Sequence, residues 1–306
     1  MKARRYLIYD VFTDTQLAGN PLAIVLDSDG LNDQRMQRIA GEFNLSETAF
    51  VLPPENRLHT ARVRIFTPRT ELPFAGHPTV GTATALAEQA GKARGKGEGA
   101  SLLVLEENVG PVRCAVSTGA GATFAEFDLP RLPKRIPFET PAEAVAAALG
   151  IPHHEIGFEN HVIGAWSAGV PYVCVPVADL DVAGRVRLDE RLWDEIVLQN
   201  PAVIGFPYVY CRETVNHDCS FHTRMFAPQD GIPEDPATGS AAAAFAGAIL
   251  THDEPVDGIH RYWLEQGIEM GRPSRIRLEI EAAAGGIEAA RIGGAAVKLA
   301  EGTLFA

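Results

Sequence analysis

The chain has 306 residues, 46% of them hydrophobic and 22% charged, with a net charge of -12. That is the composition of a soluble globular protein with ample core, and a prior of roughly 150 residues per domain gives two. The acidity argues against nucleic acid and anionic membranes as partners, while a local site can still oppose the global field and take a small anionic metabolite.

The N-terminal MKARRYLIYDVF places positive charge before an apolar run, and Asp10 interrupts that run short of signal-peptide length. A strand over 5–12 is predicted there, with no export signal, and nowhere does an apolar run approach the roughly 18 residues of a membrane helix. Cys114, Cys174, Cys211 and Cys219 are widely spaced in apolar, strand-like surroundings. They read as reduced core thiols and imply a cytoplasmic home, although Cys211 and Cys219 could meet across a hairpin.

A second strand is predicted at 22–26, after a turn carrying Ala18-Gly19-Asn20-Pro21. Asn20 is either a turn former or a ligand-facing amide. Residues 31–43 form an amphipathic helix capped by Asn32 or Asp33, with Met36, Ile39, Ala40 and Phe43 on its core face. Glu47 follows where this helix exits into an apolar strand at 49–52; it is either a solvated turn residue or a carboxylate beside a cleft, raised in pKa by partial burial. A strand at 62–67 leads to a helix from about 78 to 90, ended by Gly91, and then a hairpin-like loop at 92–99. Strands at 102–106, 112–117 and 123–129 precede a proline-rich crossover at 130–137. The second half begins with a helix at 141–149 and strands at 161–165 and 172–176. A helix at 189–199, strands at 203–211 and 220–226, and an alanine-rich helix at 238–250 follow. Tail strands are expected at 261–266, 276–281, 288–292 and 296–299. Strands in this number with two central helices, never in regular βαβ alternation, indicate an α+β fold.

The second half echoes the first. RIFTPRTELPFAGHPTVGTA (64–83) returns degenerately as RMFAPQDGIPEDPATGSA (224–241). At an offset of 160, Arg64, Phe66, Pro68 and Pro73 fall on Arg224, Phe226, Pro228 and Pro233. At 158, His77, Pro78, Gly81, Thr82 and Ala83 fall on Asp235, Pro236, Gly239, Ser240 and Ala241. Two long repeats imply two similar domains facing across a cleft. Each copy starts a helix among small residues: Gly76, Thr79, Gly81 and Thr82 in one, Gly239 and Ser240 in the other. Helix starts leave amides unpaired and carry partial positive charge, so two facing starts can hold a carboxylate without Lys or Arg; alternatively these residues simply start helices well. The copies differ at His77 against Asp235, an unlike acid/base pair that suits a proton shift better than a symmetric two-thiol racemisation. The helix dipole would lower the His77 pKa and the facing Asp would raise it, which leaves the sign open. His153-His154, His217 and His222 show no ligand spacing, so no metal is expected, and no phosphate loop or dinucleotide fingerprint implies a cofactor.

At these residues the sequence resembles the PhzF family of phenazine-biosynthesis proteins, within the diaminopimelate epimerase superfamily. The resemblance runs through DVFTDTQLAGNPLAIVL (10–26), NLSETAFVLPP (44–54), 64–83 and 226–242. It implies two similar domains, each a curled, barrel-like β-sheet around a central helix, a cleft between them and a homodimer. Its boundaries would be 1–118 and 119–306, with 295–306 packing back onto the first. It also implies cofactor-independent proton transfer, of the kind a family member performs on trans-2,3-dihydro-3-hydroxyanthranilate. Glu47 matches the general acid/base, and His77 and Asp235 match residues that position the substrate or assist the transfer. Ser240, Gly239 and Gly76 match the carboxylate anchor, and Asn20 is placed with the substrate-binding set. An amino-acid racemase, or a binding protein that kept the cleft, are the rival readings.

Overall fold

The structure, a computed structural model, describes residues 2–94, 99–119, 121–200 and 205–306. In the first half the elements are β1 (Ala3–Val11), β2 (Asn20–Val25), α1 (Asp33–Phe43), β3 (Glu47–Leu52), β4 (Ala61–Phe66), β5 (Glu71–Leu72), α2 (Gly76–Arg94), β6 (Gly99–Glu107), β7 (Gly110–Thr118) and β8 (Thr123–Asp128). The second half runs through β9 (Lys134–Ile136), α3 (Ala142–Leu149), β10 (Gly164–Ser167), β11 (Pro171–Pro176), α4 (Leu180–Arg185), α5 (Glu190–Gln199), β12 (Phe206–Cys211), β13 (Phe221–Ala227), β14 (Ile232–Asp235), α6 (Gly239–Asp253), β15 (Gly258–Gln266), β16 (Ser274–Ala283) and β17 (Gly286–Phe305).

The fold is α+β, with two similar halves in which a curled sheet wraps one central helix. In the first, β17–β1–β2–β3–β4–β6–β7–β8 closes back on β17, with α2 inside the ring. In the second, β9–β10–β11–β12–β13–β15–β16–β17 curls around α6. The correspondence is detailed: β2 pairs parallel with β3 as β11 does with β12, and β4 parallel with β6 as β13 does with β15. The long β17 joins the halves. Its beginning pairs with β16, its middle with β8, and its end with β1, from Ala296 opposite Val11 to Phe305 opposite Ala3.

The helices follow from their surroundings. A helix with sheet on every side must be apolar all round, and α6 buries Gly239 and every residue from Ala241 to Ile249. Alanine and glycine let the sheet approach closely, and Phe245 fills the wider space against Tyr210 and Phe221. On the outside, α1 covers β3 and β4 with Met36, Ile39 and Ala40 against Phe50 and Phe66. The α3–α5 layer covers the second sheet with Val145, Leu149, Trp193 and Ile196. Asn32, one of the two expected caps, accepts from Arg35 N at 2.9 Å.

Several expectations change. The first central helix begins at Gly76 and runs through Gly91 to Arg94, because a buried small-residue helix tolerates an internal glycine. The expected crossover at 130–137 contains β9, a short edge strand on β10. The strand expected at 161–165 is β10, displaced to Gly164–Ser167. The two final tail strands are one. Gly293 and Gly294 interrupt the apolar pattern, yet a Cβ on Gly294 would lie 2.4 Å from the Phe12 ring, so these glycines let one continuous strand pass its neighbours. The loop placed at 92–99 and the start of the strand placed at 203–211 fall largely outside the described residues. All four cysteines are free, Cys211 and Cys219 included, and no helix among the described residues is long and apolar enough to cross a membrane.

Candidate active site

Glu47, His77 and Asp235 come from distant parts of the chain and are each nearly removed from solvent. Asn44 ends α1 in the left-handed region at φ 51°, where Asn is tolerated, and turns the chain through Ser46 into β3. Glu47 is therefore the first residue of a strand, paired in register with Leu22 of the parallel β2. That placement excludes the solvated-turn reading and leaves its side chain 13% exposed.

His77 lies in the first turn of α2, with Nδ1 3.3 Å from Glu47 Oε2. Burial lowers the His77 pKa to about 3, in the direction expected of the helix dipole and against that expected of a facing carboxylate. Glu47 is shifted well upward, first by burial and then by the charges of Asp235 and Asp230. Burial thus favours the uncharged form of both groups, and Glu47 Oε2, facing His77 Nδ1, makes no hydrogen bond. His77 Nε2 has no hydrogen-bond partner.

Asp235 ends β14 inside a cage of donors. Asn20 Nδ2 donates to Oδ1 at 2.8 Å, Ser46 Oγ to Oδ1 at 3.1 Å and Thr238 Oγ1 to Oδ2 at 2.6 Å. These bonds pull the pKa down, but burial is the larger effect and leaves it at about 6. Asn20 is fully buried and also donates to Ala237 O at 2.9 Å, which ties the first half to the second copy of the motif; its Oδ1 is unpartnered. The turn before Asn20 is itself pinned by Arg272, whose guanidinium donates to Gly19 O, Ala18 O and the buried Asp10.

The two helix starts meet. A Cβ on Gly76 would sit 2.8 Å from Gly239 Cα, and one on Gly239 would sit 3.0 Å from Gly76 Cα. This changes the register of the repeat. The strands keep the 160 offset, β4 from Ala61 and β13 from Phe221, but the helices start at Gly76 and Gly239, an offset of 163. The second copy is longer by three residues between strand and helix rather than shorter by two. Ser240, not Asp235, is thus the counterpart of His77, and Asp235 belongs to the connection preceding the helix. Thr238, the N-cap of α6, makes no side-chain cap bond because its hydroxyl is given to Asp235. Ser240 Oγ lies 2.7 Å from Tyr172 OH.

Four contributors were not predicted from sequence. Ser46 and Thr238 stood inside the motifs. Gln266, at the end of β15, donates from Nε2 to Asp235 O at 2.7 Å and to Thr238 Oγ1 at 3.0 Å, and accepts from Thr238 N at 3.2 Å. Tyr172 carried no signal beyond a strand pattern. The turns of the two motif copies also touch: Arg69 Nη1 donates to Gln229 O at 3.1 Å, over Gly231. The described residues hold one cluster with ligand-like proximity, Glu159, His161 and Asp253, near the far end of α6. Arg212 Nη2 lies 3.1, 3.2 and 2.6 Å from their respective atoms, so a guanidinium already fills the place a cation would take.

Residues 9–302 match the family model described as phenazine biosynthesis-like protein, PhzC-PhzF. An uncharacterised isomerase of Mesorhizobium japonicum is 61% identical, covering 100% of both chains. The trans-2,3-dihydro-3-hydroxyanthranilate isomerase of Pseudomonas aeruginosa is 35% identical, covering 98% of this chain and 99% of the relative. Among solved structures, a PhzF-family protein of Bacillus anthracis superposes with a TM-score of 0.88 at 30% identity, covering 100% of each chain.

Proposed function

The chain belongs to the PhzC-PhzF family of phenazine biosynthesis-like proteins and is an isomerase, and from that premise we propose that it moves a proton within a small, carboxylate-bearing substrate. The observation that carries the reading is the buried Glu47 beside His77. A carboxyl whose pKa burial raises can give up and regain a proton near neutral pH, where an exposed one would stay ionised. Glu47 is the general acid/base that takes a proton from one substrate carbon and returns it to another. His77, uncharged, stands beside the same carboxyl through Nδ1 and keeps the unpartnered Nε2 for the substrate. Asp235, held by Asn20, Ser46, Thr238 and Gln266, orients a polar group of the substrate. The α2 and α6 starts, with Gly76, Gly239 and Ser240, take the substrate carboxylate.

Trans-2,3-dihydro-3-hydroxyanthranilate is the first probe, given the relative that acts on it, followed by other small carboxylates. In deuterated buffer the turned-over compound should gain deuterium by mass spectrometry, and Glu47→Gln should cut incorporation by at least ~100-fold. Full turnover by that variant would remove Glu47 from its role. Deuterium gain with loss of optical activity at one stereocentre would indicate a racemase instead, and tight binding without exchange a binding protein.

A further inference from the structure

The hairpin tip between β6 and β7 grips the segment that carries Gly76 and His77 at three points. Asn108 Nδ2 donates to Glu71 Oε1 at 2.8 Å, Val109 N to Pro73 O at 3.0 Å, and the Glu107 carboxyl meets the Thr79 hydroxyl at 2.7 Å. The third contact poses a proton-counting problem. Thr79 Oγ1 is also 2.7 Å from Ala75 O, one turn back on the approach to α2. A hydroxyl has a single proton to donate, and both Ala75 O and an ionised Glu107 could only accept. Glu107 Oε2, moreover, is buried with no partner at all. A carbonyl oxygen of a neutral acid tolerates this, whereas half of a buried carboxylate does not.

We propose that Glu107 is kept as a neutral carboxylic acid that positions His77, its O–H donating to Thr79 Oγ1 so that Thr79 can donate to Ala75 O and fix the first turn of α2. Burial acts in the same sense and pushes the Glu107 carboxyl up to about 8. Few other groups are placed to reverse it. On β7 the Cys114 thiol is itself pushed up by burial and by the Glu107 charge, and Glu71 is engaged by Arg64 and Asn108. Above about pH 8 the carboxyl loses its proton, the Thr79 hydroxyl must turn to the carboxylate, and Ala75 O keeps only the Thr79 backbone N–H at 3.2 Å. The peptide groups of Gly76 and His77 then lose one of their anchors.

The importance of His77 rests on the isomerase reading, but the test needs no substrate and so stands apart from it. Infrared spectra at pH 6.5 should show, beside the band of the buried Glu47 carboxyl, a second C=O stretch of a protonated carboxyl that is lost in Glu107→Gln and kept in Glu47→Gln. In Glu47→Gln, which removes the raised carboxyl beside His77, the His77 ring signals in NMR should shift with a midpoint near 8, although His77 itself does not titrate there. They should stay constant over that range once Glu107→Gln, whose amide can still donate to Thr79, is added to Glu47→Gln. Should that variant fail to fold, Thr79→Val, which keeps shape and removes the hydroxyl, should move both the infrared band and the His77 signals. An acid band at pH 6.5 unchanged by Glu107→Gln, or a His77 shift near pH 8 that persists in the Glu47→Gln/Glu107→Gln double variant, would overturn the proposal, as would unmoved signals in Thr79→Val.

Discussion

Replacing Gly76 by Ala tests whether the contact between the two helix starts is a structural requirement. The backbone of Gly76 is not among those with positive φ, so Ala fits its conformation, and the only obstacle is space. The added Cβ would lie 2.8 Å from Gly239 Cα, 3.0 Å from Gly239 C and 3.2 Å from Ser240 N. All three are main-chain atoms of a buried helix and cannot rotate away. Overpacking of this kind costs about 1–3 kcal/mol, and the better helix propensity of Ala returns about 0.5–1 kcal/mol. The midpoints of these ranges leave a net loss of roughly 1 kcal/mol in urea unfolding. Proton exchange should fall further than stability does, because relief requires separation of the two helix starts proposed to hold the substrate carboxylate. Gly239→Ala should be milder, since one of its contacts is the Phe12 ring at 3.3 Å, which can tilt. The double variant should lose more than the sum, because both methyl groups compete for one gap. A neutral or stabilising Gly76→Ala would refute the argument and with it the register that makes Gly76 and Gly239 equivalent.

Gln266→Leu removes the three bonds to Asp235 and Thr238, and should slow exchange roughly 10–100-fold through ~1–3 kcal/mol of lost positioning; an unchanged rate per folded molecule would reduce Gln266 to a structural role. His77 gives a pH test with a definite sign. Its pKa is lowered from 6.5 to about 3 in the folded chain, so as pH falls through this window the unfolded chain binds a proton that the folded chain refuses, and stability is lost. Unfolding free energy measured from pH 7 to 4 should therefore fall less steeply in His77→Gln, with a difference on the order of several kcal/mol. An identical slope in the two proteins would mean that the imidazole is hydrated.

The architecture was legible because duplication is a property of sequence. The 64–83 and 224–241 stretches, the alternating strands and the two small-residue helices sufficed for an α+β pair of curled sheets. What failed was the register within the repeat, and the cause is physical. Matching residue types rewards the Pro-x-x-Gly spacing and so sets His77 on Asp235, whereas the fold equates the residues at which two helices touch, Gly76 and Gly239. A turn can lengthen by three residues at little cost, and a helix contact cannot slide. Gln266 and Tyr172 were illegible for a related reason. They act on Asp235, Thr238 and Ser240 from other strands, through pairings that no local pattern encodes.

The corrected register also changes how the asymmetry of the site is understood. The like-placed pair at the two helix starts is His77 and Ser240, an imidazole and a hydroxyl, and a hydroxyl held to Tyr172 at 2.7 Å is a poor base. On the proposed reading, proton work then falls to the helix start where His77 and Glu47 stand 3.3 Å apart. The other side supplies Asp235, fixed by three side-chain donors and suited to binding rather than exchange. A one-sided arrangement of this kind favours lifting a proton and returning it on the same face over passing it between opposed bases. Stereochemical retention of deuterium on a single substrate face is the outcome it requires, and delivery to both faces would show that Ser240 or Asp235 acts as a second acid.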